Sequence, residues 1–440
     1  MDKKTGLLLM ASALTACSPA TGGHIAALPL AGAAASHARS HGRAASGPIQ
    51  HVVVLIQENR SFDELFQGYP GANTVTSGLT SSGQTVPLQP VTLKTGYDLT
   101  HGLADYLSDY DNGAMDGFNL EHVLGKTNLQ FPEYAYVPQS ETGLYFQLAQ
   151  QYVLSDDTFA SNLDDSFVAH QYLIAAQANN AVDLPTSAWG CNGGPNDQVG
   201  TITQDRQTGG AESPCFDSQT LGDELDAAGL GWRYYAPQLG KTGGIWSAYQ
   251  AIDHIRNGND WAADVVSPSS QILTDLKKGD LRSVTWVAPS WPLSDHPGNR
   301  SARGPDWVAK VVNAIGKSPF WSSTVVFVIW DDWGGWYDHV PPPQLDYDGL
   351  GFRVPMLVVS PYAKSNYVSH VQYESASIDR FIEDTFGLGQ LAAADARATD
   401  PAGDCLNVSR QPRRFVPLPV SVSDGELERL SRSTVPPDDH

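Results

Sequence analysis

Two apolar runs, far apart in the chain, each stop abruptly on a cluster of acids and amides, and this feature constrains the fold more than any other. In His51–Gly68 (HVVVLIQENRSFDELFQG), the apolar residues Val52 to Ile56 run into Glu58-Asn59-Arg60-Ser61 and then Asp63. In Ser323–Gly335 (STVVFVIWDDWGG), Val325 to Trp330 end on Asp331-Asp332, and two glycines then let the backbone turn tightly. Continuous apolar runs of this length read as strands buried on both faces, as in a parallel sheet covered by helices. The polar clusters then lie at the carboxyl ends of the strands, the edge where open α/β sheets bind ligands.

The first cluster taken alone also fits a helix N-terminus capped by Asn59 or Ser61. The second is harder to explain that way, because two adjacent acids at a strand end repel unless a cation lies between them. Together Glu58, Asn59, Asp331 and Asp332 offer three carboxylates and a neutral oxygen. That set suits one divalent metal cation, whose identity the sequence leaves open.

Other strand candidates are Gly231–Tyr235, Val284–Ala288 and Val354–Ser360. Between them lie helical patterns. In Pro305–Ser318 the residues Val308, Val311, Val312 and Ile315 share a face; in Ser375–Phe386 the face is Ile378, Phe381 and Ile382; Ser218–Leu230 carries Leu221, Leu225 and Ala228, closed by Gly229. Alternation of strand and helix predicts an α/β sandwich with a mostly parallel central sheet and helices on both faces. No repeat or linker interrupts residues 48–440, so a single domain is expected there. With 440 residues and 41% hydrophobic content, the chain can bury a large core. Its formal charge of −21 disfavours nucleic acid or an unaided anionic lipid surface as a partner.

The N-terminus reads as an export signal. Lys3-Lys4 precede the apolar stretch Gly6 to Ala13, and Leu14-Thr15-Ala16-Cys17 follows. These residues resemble the lipobox of bacterial lipoproteins, with lipidation at Cys17; an ordinary secretory peptide cut near Ala16 or beyond is the alternative. Residues 18–47 read as a flexible tether. The expectation is an exported protein tethered by its lipid alone, facing the periplasm or cell surface. Export permits disulfides, and Cys191 and Cys215 flank a Gly/Asn/Gln/Thr-rich segment that would be a long floppy loop without a clamp. They are expected to pair, leaving Cys405 as a buried small hydrophobe.

A nucleophile and proton donors are sought next. The richest remaining polar cluster runs from Asp156 through Asp164-Asp165-Ser166 to His170, and Phe167–Ala176 looks helical. Ser166 would lie at or near that helix's N-terminus, where backbone N–H groups favour an alkoxide or a phosphate, although on this segment alone a plain N-cap is the favoured reading. His101, His170, His296 and His339 each sit beside a polar or turn element, where a histidine is often only solvated or capping.

These motifs, read in order, resemble a known family. ENRSFD at 58–63, DLTHGLADYLSDYDNGAMDGF at 98–118, SDHPGN at 294–299, IWDDWGGWYDHVPPP at 329–343 and GFRVPMLVVSPYAK at 351–364 are similar to the bacterial phosphoesterases that include the non-zinc phospholipases C and a related acid phosphatase. The resemblance spans roughly residues 48–410. It implies an alkaline-phosphatase-like fold and hydrolysis of phosphate esters through a covalent phosphoserine. Carried over by position, Glu58, Asn59, Asp331 and Asp332 are metal ligands, Ser166 is the nucleophile, and His101 and His296 face the phosphoryl group. His170, Asp295 and His339 are expected on the substrate side.

The chain departs from the family pattern twice. Ala169-His170 stands where Asn-Arg is usual, with His170 expected to take over part of that phosphate contact. Tyr373-Glu374-Ser375-Ala376-Ser377 lacks a histidine common near the family's C-terminus. Within the enzyme class, the chain's end soon after the core tips the expectation towards a phosphatase or broad phosphoesterase. A phosphatidylcholine-preferring phospholipase C is the alternative, with Trp189, Trp246, Trp261, Trp291, Trp333 and Trp336 as a choline-type cage or as ordinary core. A non-catalytic surface lipoprotein on the same scaffold is the alternative of another class, and the complete set of metal-site residues argues against it.

Overall fold

The computed structural model describes residues 47–237 and 246–435. Its main sheet has eight strands: β1 (His51–Gln57), β2 (Val153–Ser155), β3 (Trp232–Tyr235), β4 (Val265–Val266), β5 (Val284–Val287), β6 (Thr324–Trp330), β7 (Met356–Val359) and β8 (Tyr367–Ser369). Their order across the sheet is β4-β3-β5-β1-β6-β7-β2-β8. Neighbours pair in parallel except at β7, which is antiparallel to both β6 and β2. The reversal follows from the connection. No crossover helix lies in residues 331–355, so the chain stays at the carboxyl edge of β6 and returns in the opposite direction.

The two apolar runs form the central strands. β1 pairs with β6 residue for residue from His51↔Thr324 to Gln57↔Trp330. All of β6 and all of β1 beyond His51 are buried. Each Val, Ile, Leu or Phe so buried contributes about 1.5–3 kcal/mol of transfer free energy.

The helices are α1 (Phe62–Phe66), α2 (Gln139–Gln151), α3 (Ser166–Ala175), α4 (Leu221–Ala227), α5 (Gln271–Lys277), α6 (Gly304–Gly316) and α7 (Ser377–Phe386), among shorter turns. α2, α5 and α6 pack among themselves, as do α3, α4 and α7. β6 touches both sets. Phe327 meets Phe381 of α7 at 5.1 Å between ring centroids, and Trp330, of opposite parity along the strand, meets Tyr145 of α2 at 4.9 Å. Helices therefore cover both sheet faces, as the alternation of elements predicts. α3 is buried along its whole length, and Trp286 of β5 donates its indole N–H to the Leu173 carbonyl at 2.9 Å.

Cys191 and Cys215 form the expected disulfide, and Cys405 is buried and free, its thiol pushed up to about 12 chiefly by burial. The segment between the bridged cysteines is not a floppy loop. It folds into strands Val199–Ile202 and Thr208–Glu212, which pair antiparallel beside Ala181–Val182, so backbone pairing orders what composition alone suggested was unstructured. Among the described residues no helix is long and apolar enough to cross a membrane. The expected signal peptide, Cys17 and nearly all of the expected tether lie outside the described residues.

Candidate active site

β5, β1 and β6 are adjacent and parallel, so the segments that follow them gather at one edge of the sheet. β5 leads to His296, β1 to Glu58 and Asn59, and β6 to Asp331 and Asp332. Asn59 adopts a left-handed backbone with φ 52°, a conformation asparagine tolerates better than most residues. Its N–H donates to Asp331 Oδ1 at 3.0 Å, while the Asp331 N–H donates to the Gln57 carbonyl and the Arg60 N–H to the Asp332 carbonyl, each at 3.1 Å. The two strand ends are thus laced together before any ligand is considered. Gly334 completes the turn with φ 62°; a Cβ there would lie 2.4 Å from the Asn59 carbonyl oxygen, and its N–H donates to Asp332 Oδ1 at 2.7 Å.

Ser166 is the first residue of α3, and the cap is Asp165, whose carboxylate accepts the Phe167 N–H. The plain N-cap reading of Ser166 therefore does not hold. Its hydroxyl donates to Asp332 Oδ2 at 3.0 Å and accepts from Asn59 Nδ2 at 3.2 Å. The same amide nitrogen lies 2.8 Å from His101 Nε2, and His101 Nδ1 lies 2.8 Å from the Leu99 carbonyl. That carbonyl can only accept, so Nδ1 carries the hydrogen and Nε2 accepts from Asn59. The His101 and His296 rings stand 6.4 Å apart between centroids, and His296 packs against Trp246 and Trp291.

One helical turn after Ser166, His170 projects from the same face of α3. Its Nε2 lies 3.2 Å from Glu58 Oε1 and 3.4 Å from Asp331 Oδ2. Burial works to raise the Asp331 carboxyl, but the adjacent His170 ring, then Glu58 and the Asn59 N–H, outweigh it and hold the group at about 2. Glu58, His170 and Asp331 each offer a ligand atom within 4.8 Å of the others, all buried, and Asp331 Oδ2 has no hydrogen-bond partner among the described residues. The donor set and the unpartnered carboxylate oxygen fit a divalent cation. Sequence reasoning had placed His170 with the substrate; its spacing of four from Ser166 was the available signal for a shared helix face.

Two expected residues are spent elsewhere. Asp295 accepts from Tyr145 at 2.6 Å and from the Trp330 indole at 3.2 Å, and burial raises its carboxyl to about 6. His339 bonds Asp63 through both its backbone N–H and Nδ1, in a separate group with Asp338 and Arg353. This group ties the turn after β6 to α1, which Ser61 caps as one of the two sequence readings held. The tryptophans divide as well. Trp246 and Trp291 flank His296, Trp333 meets His101 edge-on and Trp189 meets His170, whereas Trp336 lies under Arg60 and Trp261 under Arg256.

A serine at a helix N-terminus, set among carboxylates and imidazoles at the carboxyl edge of a mostly parallel sheet, defines an α/β protein with a buried polar site at that edge. The chain belongs to the Phosphoesterase family, which it matches over residues 49–389. It is 26% identical over 409 residues to the non-hemolytic phospholipase C of Burkholderia pseudomallei, covering 77% of this chain and 55% of that one. It is 25% identical over 467 residues to phospholipase C B of Mycobacterium tuberculosis, covering 88% and 85%. The chain spans about half the length of the first curated relatives it matches. Among solved structures, a protein in the alkaline phosphatase superfamily from Vibrio parahaemolyticus aligns with a TM-score of 0.37 at 10% identity, over 82% of this chain and 72% of the other.

Proposed function

We propose that this protein hydrolyses phosphate esters by double displacement, with Ser166 as the nucleophile. The observation that carries this reading is the position of Ser166 Oγ, on the first residue of a buried helix and within hydrogen-bond distance of both Asn59 Nδ2 and Asp332 Oδ2. Oγ forms a bond to phosphorus as the alcohol leaves, and water then displaces Oγ to release phosphate. Asp332 Oδ2 holds the hydroxyl proton and aims the oxygen lone pair. Asn59 and the N-terminus of α3 supply positive potential to the developing oxyanion. His296, whose ring stands 6.4 Å from that of His101, is the imidazole placed to protonate the leaving alcohol, while His101 Nε2 orients the Asn59 amide.

Ionising a serine near neutrality requires several pKa units, at about 1.4 kcal/mol each. A divalent cation held by Glu58 and Asp331, beside Asn59 and Asp332, would supply that charge and polarise the phosphoryl oxygens.

The relatives named as phospholipases C, with Trp246 and Trp291 against His296, support a second reading in which the substrate is a phosphodiester with a cationic headgroup. The Cys191–Cys215 disulfide supports an oxidising compartment, in keeping with export and a lipid tether at Cys17. Turnover of p-nitrophenyl phosphate against p-nitrophenyl phosphorylcholine, with and without EDTA, tests the function. Hydrolysis of either ester that EDTA abolishes fits the proposal, the preferred ester choosing between the readings; no hydrolysis of either, or hydrolysis indifferent to EDTA, contradicts it.

A further inference from the structure

The cluster formed by Glu58, His170 and Asp331 differs in kind from the all-oxygen set first suggested by the sequence, because its third donor is a ring nitrogen. The separations of Nε2 from the two carboxylate oxygens, 3.2 and 3.4 Å, match the edges of a coordination polyhedron with bonds of about 2.1 Å. Asp331 Oδ2 is buried, faces the ring, and makes no hydrogen bond among the described residues.

The ring stands edge-on to Trp189, with centroids 6.1 Å apart, and its Nε2 is aimed between the two carboxylates.

We infer that Glu58, His170 and Asp331 bind a nitrogen-accepting transition-metal dication of the zinc, cobalt or manganese type in preference to magnesium or calcium. Those last two ions favour all-oxygen ligands, whereas imidazole selects the former class. The inference rests on the metal-dependent reading above and names the class of metal that reading leaves open.

The test uses chelator-stripped wild type and His170→Gln, titrated separately with Zn²⁺ and Mg²⁺, and loaded with Mn²⁺ for pulsed EPR. Wild type should bind Zn²⁺ at least 100-fold more tightly than Mg²⁺, and bound Mn²⁺ should show ¹⁴N coupling from an imidazole. In His170→Gln, Zn²⁺ affinity should fall at least tenfold, Mg²⁺ affinity should stay within a few-fold, and the coupling should vanish. His101→Gln should keep the coupling, a result that supports the assignment even where His170→Gln fails to fold. Metal binding in wild type without ¹⁴N coupling, or Zn²⁺ affinity unchanged in His170→Gln, would overturn the ligand role while leaving metal dependence standing. A wild type that binds no divalent cation would overturn both.

Discussion

Ser166 and Asp332 come from segments 166 residues apart in sequence, yet the hydroxyl of one lies 3.0 Å from Oδ2 of the other. The contact joins the N-terminus of α3 to the carboxyl end of β6. Asp332 is held from its other side by the Gly334 N–H on Oδ1, so the carboxylate meets the serine with little freedom.

Replacing Asp332 with asparagine keeps the shape and removes the proton acceptor. Turnover of the best aryl phosphate ester should fall by roughly 10²- to 10⁴-fold, the range expected for losing a positioned proton acceptor. The melting temperature should move by only a few degrees. Turnover within threefold of wild type would show that Asp332 does not serve the hydroxyl.

A second buried contact predicts how stability depends on pH. Burial raises the carboxyl groups of Asp109 and Glu121 well above their usual range, and at Glu121 the neighbouring Asp109 charge adds to the effect. The folded protein thus keeps protons that the unfolded chain releases near pH 4. The stability they confer is fully present below that value and is lost as pH rises through the raised folded values. Glu121→Gln, which needs no proton to be neutral, should therefore gain melting temperature relative to wild type at pH 8 compared with pH 5. Equal differences at the two pH values would contradict the assignment.

The bridge between Cys191 and Cys215 closes a separation of 24 residues, for which chain entropy gives about 3.5 kcal/mol. Peptide mapping without reduction should recover the linked pair. The Cys191→Ala/Cys215→Ala protein should unfold at a lower denaturant concentration. An unchanged midpoint would mean that the sheet of strands Val199–Ile202 and Thr208–Glu212 holds the loop without it.

Legibility in the sequence followed the length of each signal. The long apolar runs of β1 and β6 announced both the central strands and the acids at their ends, and amphipathic spacing found α6 and α7. β2, β4 and β8, two or three residues each, are too short to carry a period, and their place comes from pairing with distant strands. The reversed direction of β7 depends on the route of residues 331–355, which no local pattern records. At the site, the strand-end acids were legible because adjacent like charges demand an explanation. The approach of His170 to Glu58 was not, since it spans 112 residues and depends on how α3 docks. Asp295 and His339 carried the right chemistry in the right loops, but Tyr145, Trp330 and Asp63 engage them first.

The most direct measurement concerns Ser166 itself. Wild type and Ser166→Ala are mixed with an aryl phosphate ester, quenched in acid within the first turnovers, digested and examined by mass spectrometry. The double-displacement account predicts a phosphoserine peptide mapping to Ser166 in wild type, absent in the variant, with turnover lowered by several orders of magnitude and the fold intact. A phosphopeptide mapping to Ser161 or Thr158, or near-wild-type turnover in Ser166→Ala, would contradict it.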